Sequence, residues 1–218
     1  MPYRISVDTG GTFTDVVVTD ATGRFTIGKA LTDKQRAFAS IRAGLEVAAA
    51  ELGQSVPALL ADTAMFLYGT TRGTNGIVER KTARTAFLTT EGFPDTLLLK
   101  EGGKAEPHNL RMEYPEPYIP RRLTFEIPER VNAEGGIDKA LDEEALPGLP
   151  YTLSHQINPI LREYRRASST AIDASLKPLM QEYLLTLEAD LRAAGYGNDI
   201  LVSTSFGGVM HLGDVVQK

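Results

Sequence analysis

The stretch at residues 5–20, ISVDTGGTFTDVVVTD, constrains the fold most, because two apolar segments flank a pair of glycines. The first segment alternates apolar and polar residues, and the second contains the β-branched run Val16–Val18; both patterns are typical of strands. Glycine has no Cβ and leaves the backbone of a tight turn open to approach. We therefore predict two neighbouring strands joined by a turn at Gly10 and Gly11.

The predicted turn carries groups that suit a phosphate. Backbone amides and threonine hydroxyls can donate hydrogen bonds to phosphate oxygens, and a turn can present several of them together. The resulting candidates for cofactor binding in this segment are Thr9, Gly10, Gly11, Thr12 and Thr14.

Two aspartates bracket the turn and are the candidate catalytic residues. Asp8 ends the first predicted strand, where it is placed to hold Mg²⁺ through water. Magnesium prefers a few carboxylate oxygens together with waters and the phosphates of a nucleotide. Asp15 begins the second strand, either as a metal- or water-orienting carboxylate or as a turn cap. A plain β-hairpin, in which these polar residues only cap the turn, is the alternative.

A second block, YGTTRGTNGIVERKTARTAFLTTEGFPDT at residues 68–96, adds a recognisable pattern. Together with the Asp-x-Gly-Gly-Thr-Phe-Thr-Asp opening at Asp8–Asp15, it resembles the N-terminal region of the hydantoinase/oxoprolinase family. The matching positions in the second block are Gly69–Thr71, Thr74–Asn75, Glu79–Lys81 and Thr90–Phe93. Thr70 and Thr71 end a predicted strand, where they are further candidates for binding phosphate or substrate, or are simply edge threonines.

The resemblance implies a fold and its ligands. Members of this family are similar to actin, sugar kinases and Hsp70, so we expect an α/β fold of the ribonuclease H-like class, with a mixed sheet flanked by helices. The matched motifs correspond to the N-terminal lobe only, and a second phosphate loop and the adenosine pocket belong to a second lobe. The implied cofactors are ATP and Mg²⁺ or Mn²⁺, with Asp8 as the metal residue.

Within the family, residues 114–131, YPEPYIPRRLTFEIPERV, resemble the acetone and acetophenone carboxylases most. The resemblance implies a subunit that phosphorylates a carbonyl or enol oxygen, or bicarbonate, with MgATP and is inactive alone. Its implied partners are other subunits of a hetero-oligomeric carboxylase, a small ketone and bicarbonate. The alternatives are a cyclic amide hydrolase of the hydantoinase or 5-oxoprolinase kind, a non-catalytic structural subunit, and a sugar or acid kinase, which needs a catalytic aspartate in its second half.

Composition narrows the classes of partner and compartment. With 218 residues, 42% of them hydrophobic, the chain can bury a core in one large or two small domains. A net charge of −5 without runs of lysine or arginine disfavours nucleic acids and membranes as partners. No long apolar stretch or signal peptide is evident, and the absence of cysteine excludes disulfides. We therefore expect a cytoplasmic protein.

The predicted helices and strands follow from the spacing of apolar residues and from residues that begin or end such elements. A third strand ends near Leu31, and Asp33 is expected to cap a helix over residues 34–52. A strand, a short helix and a strand across residues 65–90 predict a parallel βαβ unit. A long helix is predicted over residues 177–195, with Gly195 after its C-terminus.

The sequence divides into three predicted regions. Residues 1–100 form a nucleotide-phosphate-binding α/β region, residues 101–150 a proline-rich insertion with a strand, and residues 151–218 a helical segment and a strand leading to the second lobe. Near residue 147 the sequence departs from the family, because a helix predicted at Asp142–Leu146 is cut short by Pro-Gly-Leu-Pro where relatives continue. The three histidines lack metal-ligand spacing, so we assign them no metal site.

Overall fold

The computed structural model of this protein describes residues 2–102, 104, 106, 108–142, 150–205 and 207–217. Its contacts divide the chain into two compact units, one formed by Met1–Lys81 with Pro178–Lys218 and the other by Thr82–Lys177. The three regions predicted from the sequence, with boundaries at residues 100 and 150, stay a prediction. They describe changes in sequence character along the chain, whereas the two units are defined by contacts. Within the described residues, no helix combines the length and the apolar character needed to cross a membrane.

The elements of both units are numbered in chain order. The described strands are β1 (Tyr3–Thr9), β2 (Phe13–Thr19), β3 (Phe25–Leu31), β4 (Thr63–Thr70), β5 (Phe87–Thr90), β6 (Thr124–Ile127), β7 (Arg130–Val131), β8 (Ile137–Lys139), β9 (Ile200–Ser203) and β10 (Val209–His211). The described helices are α1 (Ala37–Glu51), α2 (Val56–Ala61), α3 (Arg72–Val78), α4 (Thr96–Leu99), α5 (Ser154–Ile157), α6 (Glu163–Ala193) and α7 (Leu212–Gln217).

The first unit is built on a mixed sheet with the strand order β10-β9-β4-β1-β2-β3. β1, β2 and β3 form an antiparallel meander, whereas β4 runs parallel to both β1 and β9. The predicted hairpin at Gly10 and Gly11 and the third strand ending at Leu31 are therefore confirmed. So is the predicted α/β class with a mixed sheet flanked by helices.

One face of this sheet forms the core of the first unit, because strand residues alternate between the two faces. The buried strand residues on this face are Ile5, Val7, Val16, Val18, Phe66, Tyr68, Ile200 and Val202. The helical residues buried in the same core include Ile41, Leu45 and Ala48 of α1 and Leu184, Leu187 and Leu191 of α6. Each fully buried aliphatic side chain contributes about 1.5–3 kcal/mol, so this core holds the sheet and its helices together.

Helix α1 approaches the sheet very closely at a pair of glycines. A Cβ added to Gly28 in β3 would lie 1.8 Å from the carbonyl oxygen of Gly44 in α1, and one added to Gly44 would lie 2.7 Å from Val16 Cγ2. Backbone therefore packs on backbone at this point. The close approach sets how near the N-terminal end of α1 comes to the strand ends that carry the predicted site.

The start of α1 differs from the prediction. The helix begins at Ala37 rather than at residue 34, and Arg36, not Asp33, occupies the N-cap position. The Asp33 carboxylate instead accepts hydrogen bonds from the amides of Gln35 and Arg36, at 2.7 and 3.0 Å. An aspartate side chain that accepts hydrogen bonds from nearby amides stabilises a non-helical turn in place of the helix N-terminus. The helix therefore starts three residues later than predicted.

The predicted parallel βαβ unit is wrong. β5 does not pair with β4; it pairs in parallel with β6, in a separate two-stranded sheet of the second unit. Both edges of β4 are already occupied, by β1 and by β9. Local sequence order did not reveal this, because β9 lies more than a hundred residues further along the chain.

The long helix is also longer than predicted. α6 spans Glu163–Ala193 and continues through Pro178, which costs it one backbone hydrogen bond. Residues on both sides of the proline are buried, Ala167 and Ala171 in the second unit and Leu184, Leu187 and Leu191 in the first. As predicted, Gly195 follows the helix, with φ +107°. The helix predicted at Asp142–Leu146 lies outside the described residues from position 143 on.

The second unit has a small core of its own. Its buried residues are Leu97, Ile119, Ala167 and Ala171, with Phe87, Leu123 and Tyr164 packed against them. β7 and β8 form an antiparallel pair. The hydroxyl of Tyr118 also shares a hydrogen bond of 2.7 Å with Ser175 of α6. The proline-rich segment before β6 is thus anchored to α6 within this unit.

Substitution of Gly28 by alanine tests the glycine contact. Gly28→Ala is expected to lower the free energy of unfolding by about 3 kcal/mol, because overpacking a tight contact forces the backbone apart. Urea-induced unfolding measures the change. Gly197→Ala is the matched control, since no atom lies within 4 Å of its added Cβ and its φ lies outside the left-handed region. Equal unfolding midpoints for the two variants would contradict the close approach of α1.

Candidate functional site

The two predicted catalytic aspartates lie side by side on the face of the sheet opposite the core. Asp8 of β1 is directly opposite Asp15 of β2 in the antiparallel register. Asp15 in turn is opposite Lys29 of β3, whose Nζ lies 2.8 Å from Asp15 Oδ1. Asp8 itself is exposed. Two neighbouring carboxylates repel each other, and the ammonium of Lys29 offsets the charge of one of them.

On its other side, Asp8 is opposite a glycine. Gly69 of β4 pairs with Asp8, and a Cβ added to Gly69 would lie 3.1 Å from Ser203 Oγ and 3.6 Å from Asp8 Oδ1. The missing side chain therefore leaves room for the Asp8 carboxylate and brings a hydroxyl from β9 close to it. Sequence analysis missed Ser203 and Lys29, because both reach the site through strand pairing rather than through a motif.

The donors in this row are hard oxygen ligands. Asp8, Asp15 and Ser203 offer carboxylate and hydroxyl oxygens, the type that Mg²⁺ prefers. Among the described residues, no group of three or more histidine, cysteine or acidic side chains is arranged to hold a metal ion by itself. Magnesium does not need such a group, since it keeps several waters and binds nucleotide phosphates. An exposed Asp8 next to the Gly10–Gly11 turn fits a magnesium ion held mainly through water.

The turn between β1 and β2 presents its backbone at the end of this row. Gly10 N donates to Phe13 O at 3.0 Å, which closes the turn. Gly11 and Thr12 at its tip are exposed. The carbonyl of Thr12 accepts a hydrogen bond of 2.9 Å from Thr32 N, which ties the turn to the end of β3. The exposed tip is open to a phosphate.

The threonines of the two strands face the opposite way. Thr14 is fully buried, and its hydroxyl shares a hydrogen bond of 3.0 Å with Thr32 and donates to Ser40 Oγ at 3.1 Å. Thr9 is also buried, and its Oγ1 has no hydrogen-bond partner among the described residues. Since strand residues alternate between faces, Thr9 and Thr14 lie on the core side while Asp8 and Asp15 lie on the open side. Of the three predicted hydroxyls, Thr12 is the exposed one.

The end of β4 and the residue after it lie next to the turn. Thr71 N donates to Thr9 O at 3.4 Å, and Thr71 Oγ1 accepts from Asn75 Nδ2 at 3.2 Å. That amide nitrogen is also 3.9 Å from the position of a Cβ on Gly11. Thr70 Oγ1 accepts from Arg72 N at 3.2 Å. The structure thus places Thr70 and Thr71 near the turn, and their role in binding stays a prediction.

Asn75 contributes a side chain that sequence analysis did not assign to the site. α3 has Thr71 at its N-cap position, without a side-chain cap bond, and contains Asn75 within its length. The amide of Asn75 is therefore free to face the turn. A polar residue four positions after a loop threonine was the available signal, because such residues share one face of a helix.

Comparison with known proteins identifies the pattern. The profile of the hydantoinase/oxoprolinase N-terminal region matches residues 4–156. Caprolactamase subunit alpha from Pseudomonas jessenii is 28% identical in a match that covers 86% of this chain and 33% of that protein. Acetophenone carboxylase gamma subunit from Aromatoleum aromaticum is 27% identical in a match that covers 94% of this chain and 35% of that protein. The chain thus spans about a third of the length of these curated relatives.

A solved structure shows the same architecture. The crystal structure of the ATP-dependent caprolactamase from Pseudomonas jessenii matches with a TM-score of 0.82 at 27% identity, over 95% of this chain and 36% of that chain. The likeness confirms the predicted fold class, similar to actin, sugar kinases and Hsp70.

The buried position of Thr14 and the exposed position of Thr12 can be tested through the free energy of unfolding. Thr14→Val is expected to lower the free energy of unfolding by about 1–2 kcal/mol, because it leaves the buried hydroxyl of Ser40 with one partner fewer. Thr12→Val, at the exposed tip of the turn, is expected to change it by less than about 0.5 kcal/mol. Chemical denaturation of both variants measures the difference. An equal loss in both would mean that the Thr14 hydroxyl is not part of a buried network.

Proposed function

Because this chain belongs to the hydantoinase/oxoprolinase family, we propose that it carries the first phosphate-binding elements of an enzyme that uses MgATP to phosphorylate a carbonyl or enol oxygen, or bicarbonate. The observation that carries the proposal is the exposed Asp8 carboxylate, which lies opposite Gly69 beside the open Gly10–Gly11 turn. The family resemblance alone would not distinguish an intact site from a decayed one. An exposed carboxylate with free space beside it favours an intact one.

In this proposal the chain's own residues bind and orient phosphate. The backbone amides of Gly11 and Thr12 and the hydroxyl of Thr12 donate to phosphoryl oxygens, while the amide of Gly10 closes the turn that presents them. Phosphoryl transfer develops charge on those oxygens, and donors fixed in advance stabilise that charge without having to reorganise. Thr70 and Thr71 line the other side of the turn.

Asp8 and Asp15 take different roles. Asp8 orients the water shell of Mg²⁺, which when bound supplies positive charge to the phosphates. Asp15 is held by Lys29 at 2.8 Å, and this ion pair keeps its carboxylate beside Asp8 in a fixed orientation. Asp15 therefore acts as the orienting carboxylate of the pair.

The proposed reaction is that of a ketone carboxylase. Phosphorylation of an enol oxygen and activation of bicarbonate allow a new carbon–carbon bond to form, with release of phosphate and production of a β-keto acid. The match to an acetophenone carboxylase gamma subunit, over 94% of the chain, supports this branch. Its name and that of the caprolactamase subunit alpha denote subunits, which supports the proposal of a hetero-oligomer.

A cyclic amide hydrolase is the second candidate. In that reaction, phosphorylation of the amide oxygen turns a poor electrophile into one that water can attack. The observation that supports this candidate is the match to a caprolactamase subunit, at 28% identity over 86% of the chain. The same phosphate-binding residues serve both reactions, so the substrate decides between them.

Replacement of Asp8 tests the site. In the complete protein with its partner subunits, Asp8→Asn is expected to lower substrate-stimulated ATP turnover by about 100-fold or more, comparable to the loss of one preorganised charge-stabilising group. ATP turnover at varied Mg²⁺ measures it. Asp62→Asn is the matched control, because Asp62 is an exposed aspartate at the C-terminal end of α2. Turnover in Asp8→Asn equal to that of the control would refute a role for Asp8.

A substrate panel decides the branch. Stimulation of ATP turnover by acetone or acetophenone with bicarbonate, absent without bicarbonate, is expected for the carboxylase. Stimulation by caprolactam, hydantoin or 5-oxoproline without bicarbonate would instead identify the hydrolase. No ATP turnover with any of these compounds would favour a structural subunit of a larger complex.

A further inference from the structure

One aromatic side chain of α6 contacts both neighbours of the segment that leads from β4 into α3. This segment, Gly69–Thr71, comprises the last two residues of β4 and the residue before α3, and is called the β4–α3 loop below. Tyr68 precedes it and Arg72 follows it. The hydroxyls of Tyr68 and Tyr183 lie 2.5 Å apart and share a hydrogen bond. The guanidinium carbon of Arg72 lies 4.6 Å from the centroid of the Tyr183 ring. Tyr183 therefore contacts the residues on both sides of the loop without being part of it.

The contact with Tyr68 anchors Tyr183 to the core. Tyr68 is fully buried in the core of the first unit, at the centre of the sheet between Val7 and Val202, whereas Tyr183 is partly buried. Burial raises the pKa of Tyr68, and the neighbouring Tyr183 raises it further. The phenol therefore stays neutral at physiological pH, and its hydroxyl remains a partner for Tyr183. A hydrogen bond to a buried hydroxyl is strengthened by its apolar surroundings and orients the Tyr183 ring.

The contact with Arg72 fixes the other end of the loop. One guanidinium nitrogen of Arg72 donates to Lys34 O at 3.3 Å, while the planar group lies over the ring of Tyr183. Its Nε is buried without a hydrogen-bond partner among the described residues. Arg72 N also donates to Thr70 Oγ1 at 3.2 Å. The position of Arg72 thus sets the orientation of a hydroxyl within the loop.

We propose that Tyr183 and Arg72 are positioning residues that hold the β4–α3 loop in the conformation that binds nucleotide phosphate. The inference rests on the proposed use of ATP. Neither side chain acts on phosphate itself. Tyr183 fixes Tyr68 and Arg72, and these fix the ends of a three-residue loop whose Thr71 amide bonds to Thr9 O in the phosphate-binding turn.

The expected effect of weakening this arrangement is on affinity. When the binding-competent conformation is only partly populated, the apparent dissociation constant rises in inverse proportion to that population. Bound nucleotide restores the conformation, so the maximal rate changes little. A residue that contributed only to overall stability would leave both quantities unchanged below the melting temperature.

The test compares two tyrosines that pack in the core of the first unit, Tyr183 partly buried and Tyr196 fully buried. Tyr183→Phe keeps the ring under Arg72 and removes only the hydroxyl that contacts Tyr68. Tyr196→Phe is the control, because it also removes one tyrosine hydroxyl from this core, one that donates to Asp199 O at 2.6 Å and not to the loop. Both variants are made in the complete protein with its partner subunits. KM for ATP, kcat at saturating ATP and the melting temperature are measured for each.

Tyr183→Phe is expected to raise KM for ATP by about three- to tenfold, the equivalent of one hydrogen bond, with kcat nearly unchanged. Both tyrosine variants are expected to lower the melting temperature by similar amounts, because each loses one hydrogen bond. Only Tyr196→Phe is expected to keep the wild-type KM. Arg72→Lys keeps the positive charge but loses the planar stack, so it is expected to raise KM as well.

Four outcomes would overturn the inference. Equal KM values in Tyr183→Phe and Tyr196→Phe would show that Tyr183 serves stability alone. A wild-type KM in Arg72→Lys would show that stacking on Tyr183 does not position the loop. If the wild-type protein neither binds nor turns over MgATP, the proposed function fails and this inference fails with it. Loss of turnover in Asp8→Asn beside unchanged KM in the Tyr183 variant would refute the inference alone.

Discussion

The structure of the first unit depends on the alternation of side chains along β1 and β2. An antiparallel pair in fixed register places residues opposite each other on the same face, and a slip by one residue would exchange the two faces. Here the register sets Val7 opposite Val16 and Asp8 opposite Asp15. The valines bury one face against the helices, and this burial holds the register that keeps the two carboxylates together on the other face.

The same alternation places Thr14 on the buried face, where its hydroxyl contributes to stability. Thr14 faces the helices and bonds to Thr32 and to Ser40, whose hydroxyl donates to Ala37 O at the start of α1. A buried hydroxyl without partners is costly, so this network fixes the turn relative to α1. The hairpin that carries the candidate phosphate-binding turn is thereby anchored to the core through the face that points toward the helices.

Much of this could be predicted from local sequence. The hairpin, its glycine turn and the third strand followed from the apolar pattern, because such signals act over a few residues. The βαβ unit was wrong, since which strands pair depends on edges that distant strands compete for. β9 fills the edge of β4 and brings Ser203 beside Asp8, across more than a hundred residues of sequence that carry no local sign of this proximity.

The orientation of the threonines is a different case. Strand period alone places Thr9 and Thr14 on the face away from Asp8 and Asp15, so the sequence held the information. The three threonines were predicted as phosphate donors from residue type alone, without regard to the face on which each one lies. Residue chemistry indicates what a side chain can bind, whereas periodicity indicates where it faces, and a site requires both.

On the proposed function, the elements in this chain bind phosphate and magnesium rather than the acceptor substrate. The row at Asp8 and the turn at Gly10 offer carboxylates, amides and hydroxyls, and these groups do not distinguish a ketone from a lactam. A caprolactamase subunit and an acetophenone carboxylase subunit match the chain at 28% and 27% identity. Nearly equal similarity to enzymes with different substrates is expected where a region handles the nucleotide, because transfer of the phosphoryl group makes the same demands in each. On the proposed function, substrate choice therefore depends on parts of the enzyme that contact the acceptor oxygen rather than on this hairpin.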